Sequence, residues 1–143
     1  MPAISLTLSG QPGPAEMHDL SAEITELTCA VLDKRIAETL VIVTPVPHTH
    51  WFIGKRSLVE LGQNSFRLEV TVSDETNTHA QKKAFQRAAY DLLAARIGNV
   101  HLHANVRIID CRPGAYGYGG TTQAARMEAA PVPVADRAAC ETP

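Results

Sequence analysis

The sequence opens MPAISLTLSG, with a proline directly behind the initiator methionine and an alternating apolar-polar run directly behind the proline. Loss of Met1 would leave the secondary amine of Pro2 at the chain terminus. An α-amino group has an unperturbed pKa of about 8, and an apolar pocket disfavours its ammonium form and lowers that value. Pro2 would then be a neutral general base, able to take a proton from carbon or an enol oxygen and return it elsewhere on the same molecule. The pyrrolidine ring fixes φ and holds the lone pair on a rigid strand end, and Ala3 is small enough to let a substrate approach. A residue left in front of Pro2 would convert the amine to an amide and remove its basicity.

Other reactive side chains offer less. His48 and His50, and again His101 and His103, are spaced HxH. On a strand this puts two imidazoles on one face, half of a zinc site. No third ligand stands at a recognisable spacing, so no metal is expected and polar surface histidine is the default. Cys29, Cys111 and Cys140 are an odd set without CxxC spacing, which suits reduced thiols in a cytoplasmic protein. GAYGYGG, residues 114–120, is glycine-rich. With no helix expected after it, it lacks the helix N-terminus that a phosphate loop uses.

At 143 residues the chain can bury a real core, and its apolar and charged fractions are those of a globular protein rather than a disordered one. No apolar run approaches the ~20 residues of a membrane-spanning helix. The charge-free start reads directly into a strand, so no signal peptide and no membrane association are expected. A net charge of −2 argues against nonspecific nucleic-acid binding.

The elements that must carry these residues form two similar halves. In the first, Ile4, Leu6 and Leu8 alternate with Ser5 and Thr7, a half-buried strand; GQPGP breaks it. From Ala15, Met17, Leu20, Ile24, Leu27 and Val31 recur at helical spacing, with acidic residues toward the N-terminal end. TLVIVT, residues 39–44, reads as a strand covered on both sides. PVPHTHWFIGK follows as an extended or hairpin-like segment. In the second half, Phe66, Leu68, Val70 and Val72 form a strand, and Ser73-Asp74 can cap a helix with Phe85, Ala89, Leu92 and Leu93 on its apolar stripe. Gly98 stops that helix, HLHANVRIID (101–110) is the last strand, and RPGAYGYGG is a hairpin or turn. The offset between the halves is about 65 residues, with LVELGQNS as the joint.

The expected fold is therefore α+β: tandem β-α-β units, 2–60 and 65–120, forming a four-stranded sheet with both helices on one face. Residues 121–143 show no period and read as a flexible tail. Ser5, Thr7, Glu69 and Thr71 would face away from the helices beside the all-apolar TLVIVT. A monomer would leave that strand half wet, so a homo-oligomer is expected.

MPxIxLxL at the start, the β-α-β repeat and the closing VRIIDCRPGAYGYGG resemble the 4-oxalocrotonate tautomerase family. LVIVTPVPHTHWFIGK is a looser version of the same closing element. The chain resembles a fused tautomerase, two family units covering residues 2 to about 120, with the proline only in the first. The resemblance implies a homotrimer with three proline sites and a cofactor-free isomerase acting on a small 2-oxo or 2-hydroxy carboxylic acid.

It also implies an arginine facing the proline from a neighbouring unit. Arg107 best matches it, and its guanidinium can hold a carboxylate through two parallel hydrogen bonds. The family's arginine after the first strand is missing: Ser9-Gly10-Gln11-Pro12 and Ser73-Asp74-Glu75-Thr76 stand there, and Leu40 replaces another. Lys55, Arg56, Arg67 and Arg112 could substitute, and spacing does not choose among them. Trp51 and Tyr116 align with the family's pocket aromatic, either lining the pocket or packing a subunit interface, and His50 stands beside Trp51. Hydratase or dehalogenase chemistry belongs to the same superfamily. The rival from another class is a ferredoxin-like βαββαβ module that binds a small ligand without catalysis.

Overall fold

The computed structural model describes residues 1–130; residues 131–143, including Cys140 and the end of the expected tail, lie outside the described residues. The chain divides into a unit spanning Met1–Cys111 and a smaller one beginning at Arg112.

In the first unit, β1 (Ala3–Ser9) runs into α1 (Pro14–Leu32), which returns to β2 (Leu40–Val46). Proline occupies the first turn of α1, where its missing N–H costs nothing. Leu20, Ile24, Thr28 and Leu32 form the buried face, and the Thr28 hydroxyl donates to the Ile24 carbonyl at 2.6 Å, which lets a polar residue sit in the core. The second half repeats the plan with β5 (Phe66–Ser73), α3 (His79–Ile97) and β6 (Asn105–Cys111). The cap of α3 is Thr78 and not Ser73 or Asp74. Its hydroxyl accepts from the Gln81 N–H at 3.1 Å, and the Gln81 side chain accepts from the Thr78 N–H at 2.9 Å. Thr78→Ala removes this reciprocal pair and is expected to cost about 1 kcal/mol, read as a lowered urea midpoint at unchanged slope. Strand β6 starts later than the sequence pattern implied, because His101–Ala104 make a turn closed by the Ala104 N–H to the His101 carbonyl at 3.0 Å.

The sheet order is β2-β1-β5-β6; β1 is parallel to β2, β5 is parallel to β6, and β1 and β5 are antiparallel at the centre. Each helix thus joins two adjacent strands. A ferredoxin-like module splits each β-α-β unit with an intervening strand, so that alternative does not fit. The two β-α-β halves of the first unit share one sheet and one core, in which Ile4, Leu6, Leu8, Leu68, Val70 and Val72 meet Leu20, Ile24, Phe85 and Leu93. An ion pair of Arg96 with Glu23 at 2.9 Å links α3 to α1.

Register fixes what the opposite face presents. Across the strands, one row reads Leu40, Ala3, Thr71, Ile109; the next reads Ile42, Ser5, Glu69, Arg107; the third reads Thr44, Thr7, Arg67, Asn105. Ser5 pairs with Glu69, and a local two-fold through that pair exchanges the first and third rows. Strand β2 is not covered on both sides. It is an edge strand, and Leu40 and Ile42 on the open face are 46% and 57% exposed.

The repeat continues into hairpins. β3 (Phe52–Ile53) and β4 (Arg56–Ser57) turn through Gly54-Lys55, both with positive φ, the backbone of a type I′ turn, and α2 (Leu58–Leu61) follows. In the second unit, β7 (Gly117–Tyr118) and β8 (Thr121–Thr122) turn through Gly119-Gly120, and α4 (Gln123–Ala129) follows. The expectation of a tail from residue 121 is corrected here. Ser57 accepts from the Glu60 N–H, and Thr122 accepts from the Ala125 N–H, so the same hydroxyl cap starts both helices.

Candidate functional site

Pro2 is buried at the head of the central strand β1, on the same side as Ile4 and Leu6, and its carbonyl accepts the Leu40 N–H at 3.1 Å. The open-face row nearest to it, Leu40, Ala3, Thr71 and Ile109, carries no charge. Met1 is present, so the terminal amine is its own, one residue ahead of the nitrogen that its loss would free. Burial pulls that amine below its ordinary 8.0; Glu38 opposes the shift, and Lys34 and Arg35 add to it. The Lys34 ammonium is itself pulled down by burial, against the attraction of Asp33. The environment at this end of the sheet therefore favours an uncharged amine.

A cavity of about 470 Å³ opens at the other end of the open face. Of the residues expected from sequence, His50, Trp51 and Arg67 line it, joined by Phe52, His103 and Asn105. His103 and Asn105 were not foreseen there. The signal for Asn105 was its pairing with Arg67 in the parallel register, which the late start of β6 concealed. Thr7 also lines the cavity, and it stands five strand steps from Pro2, about 17 Å at 3.3–3.4 Å each. Within one protomer, Pro2 and the Trp51 cavity are separate places.

Arg107 is on the open face of the edge strand β6, two strands from β1 and three residues up the sheet, roughly 14 Å from Pro2 by strand spacing. It pairs with the partly buried Glu69, whose carboxylate also faces Arg67 at 3.6 Å. One acid thus stands between the two arginines, at the two-fold. Tyr116 belongs to the C-terminal unit, where its carbonyl accepts the Gln123 N–H at 2.7 Å. Lys55 is the second residue of the β3–β4 turn, Arg56 follows it, and Arg112 opens the C-terminal unit.

The His48 and His50 rings do not share a face, whereas the His101 and His103 rings meet edge to face at 5.4 Å between centroids. His48–His50 is a 3₁₀ turn, and residues two apart diverge around it. His48 bonds Asn64 at 2.8 Å and His50 reaches the cavity. The His101 ring accepts the His103 N–H at 3.0 Å. Among the described residues, no group of three or more His, Cys, Asp or Glu is arranged to hold a metal ion, and no helix is long and apolar enough to cross a membrane.

No family model and no curated protein matches the sequence. Solved structures do. A native fused 4-OT is similar at 26% identity and a TM-score of 0.75, over 86% of this chain and 97% of its own. A fused 4-OT solved as a symmetric trimer is 16% identical, with a TM-score of 0.72 over 87% and 98% of the two chains. A macrophage migration inhibitory factor-like protein from Entamoeba histolytica has 15% identity and a TM-score of 0.66, over 85% and 97%. The first carries sequence as well as fold, and the other two carry the fold. Two β-α-β units in one polypeptide, joined by an antiparallel central pair and headed by a buried Pro2, make this chain a fused 4-OT-like protein with the fold of the tautomerase superfamily.

Proposed function

We propose that the chain is a cofactor-independent isomerase of the tautomerase type, in which Pro2, unmasked by loss of Met1, moves a proton between oxygen and carbon of a small 2-oxo or 2-hydroxy unsaturated carboxylic acid. The observation that carries this reading is the buried Pro2 at the head of β1, in a desolvating setting that lowers the pKa of the adjoining Met1 amine. A lone pair on nitrogen accepts the substrate proton, and the resulting ammonium returns it at the other end of the conjugated system. The charge that develops on the enolate oxygen needs a cation. Arg107 of the same protomer is too far along the sheet to supply it, so the reading places Pro2 at a junction between subunits, with Arg107 and Tyr116 as the candidates to complete it.

A homotrimer follows from the same reasoning. The exposed Leu40 and Ile42 lie on the strand that edges the open face, and the similar fused 4-OT structures are trimers. Burial of that face between copies would dry the Pro2 end further.

Another similar structure, of the protein Pt0534, was inactivated by 2-oxo-3-pentynoate. The test here uses the same reagent. The Pro2 nitrogen adds to the alkyne carbon β to the ketone, the triple bond becomes a double bond, and the proton lost from nitrogen is delivered through water to the neighbouring carbon. Intact mass and peptide mapping are expected to show one adduct per chain, on Pro2, in protein that has lost Met1. Labelling confined to lysines, or retention of Met1, would overturn the reading. A screen of enolisable 2-oxo and 2-hydroxydienoic acids by ultraviolet absorbance then identifies the substrate.

A further inference from the structure

The cavity at the far end of the open face has a definite relation to Pro2. The local two-fold that maps Ala3 onto Arg67 and Leu40 onto Asn105 carries the head of β1 onto the head of β5. There the chain continues without a terminus, and Phe66 stands where the first unit has its proline. The cavity is thus the counterpart of the Pro2 end, rebuilt with a guanidinium and an amide in place of two apolar side chains.

We propose that this cavity is a second ligand site, which takes a flat, largely apolar monocarboxylate. Glu69 approaches Arg67 at Nε, at 3.6 Å, and the two terminal nitrogens of Arg67 have no hydrogen-bond partner among the described residues. These nitrogens form the fork that fits a carboxylate. The Asn105 amide flanks Arg67 on the neighbouring strand, and the Thr7 hydroxyl flanks it on the other side, giving further donors on one row. His50 and His103 complete the polar rim. Trp51 and the exposed Phe52 supply flat apolar surface opposite the cation. A volume of about 470 Å³ suits a ligand of one ring or a short conjugated chain. The cavity holds one guanidinium, so it selects one carboxylate and not two. No terminal amine lines it within the protomer, so a ligand bound there does not meet the base proposed for Pro2. This proposal stands whether or not Pro2 is catalytic.

Trp51 is the single tryptophan of the sequence and lines the cavity, so its fluorescence reports occupancy directly. The probe is benzoate, with benzamide as its uncharged match, titrated into the intact protein. A saturable change with benzoate and none with benzamide is expected. Arg67→Gln is expected to weaken benzoate by about tenfold or more, the loss of a charge-assisted pair. Arg67→Lys, which keeps the charge without the fork, should fall between the two. A chain carrying an extra residue before Pro2 is expected to bind benzoate as the native protein does. Lack of a saturable response, equal affinity in Arg67→Gln, or an equal response to benzamide would overturn the proposal. So would loss of the response in the extended chain, which would make the cavity part of the Pro2 site. The function proposed for Pro2 fails differently, by undiminished turnover in that extended chain.

Discussion

Replacing Pro2 by alanine is expected to lower kcat/KM roughly 10²- to 10⁴-fold, the range that a positioned general base supplies, with the oligomer unchanged by size-exclusion chromatography. The alanine variant still ends in an amine, but a primary one on a backbone whose φ is no longer fixed. Its loss should therefore lie toward the lower end of the range. An extra N-terminal residue removes the base altogether, because an amide nitrogen has no available lone pair, and should give the larger loss. The pH profile separates a base from a binding group. Burial lowers the pKa of the Met1 amine below its ordinary 8.0, the freed Pro2 amine is expected to shift the same way, and the neutral form is the active one. Turnover should rise with pH through that lowered value and level off above it. A profile that falls over the same interval, or a Pro2→Ala enzyme with native turnover, would end the proposed chemistry.

Much of this arrangement is legible in the sequence because period and repeat are local signals. The alternation of Ile4, Leu6 and Leu8 gives the buried face of β1 without ambiguity. The recurrence at about 65 residues gives the second unit. What stays hidden is whatever pairing decides. TLVIVT looks doubly covered, yet its place at the sheet edge is set by order and not by composition. Arg67 and Arg107 look like free cations until the register places Glu69 between them. The segment after Gly120 looks like a tail because alanine-rich helices of one or two turns have no apolar period to detect. Its signal was Thr122, which stands to the second hairpin as Ser57 stands to the first. His50, Trp51 and Arg67 line one cavity, and sequence spacing could not show that strand geometry separates them, within one protomer, from the proline they were expected to serve.

The largest loss of stability is expected from Phe66→Ala, about 3–5 kcal/mol, a large part of the 5–15 kcal/mol that holds a typical domain folded. Phe66 is fully buried, pairs with Leu8 across the central strands and meets the Tyr90 ring at 5.6 Å between centroids. Truncation opens a cavity at the seam between the two units, where β1, β5 and α3 all contribute walls that cannot collapse independently. Phe66→Leu keeps most of the volume and should lose less. Urea denaturation followed by far-ultraviolet circular dichroism reads both, and a loss below about 1 kcal/mol for Phe66→Ala would mean that the seam relaxes into the space. Only a chain terminus offers a basic backbone nitrogen, and β5 begins in mid-chain, so no residue at its head could act as Pro2 is proposed to act. The side chain at that position, Phe66, is buried in the core instead. The Phe66→Ala protein, assayed where it is still folded, should therefore keep its turnover per folded molecule while its unfolding midpoint drops.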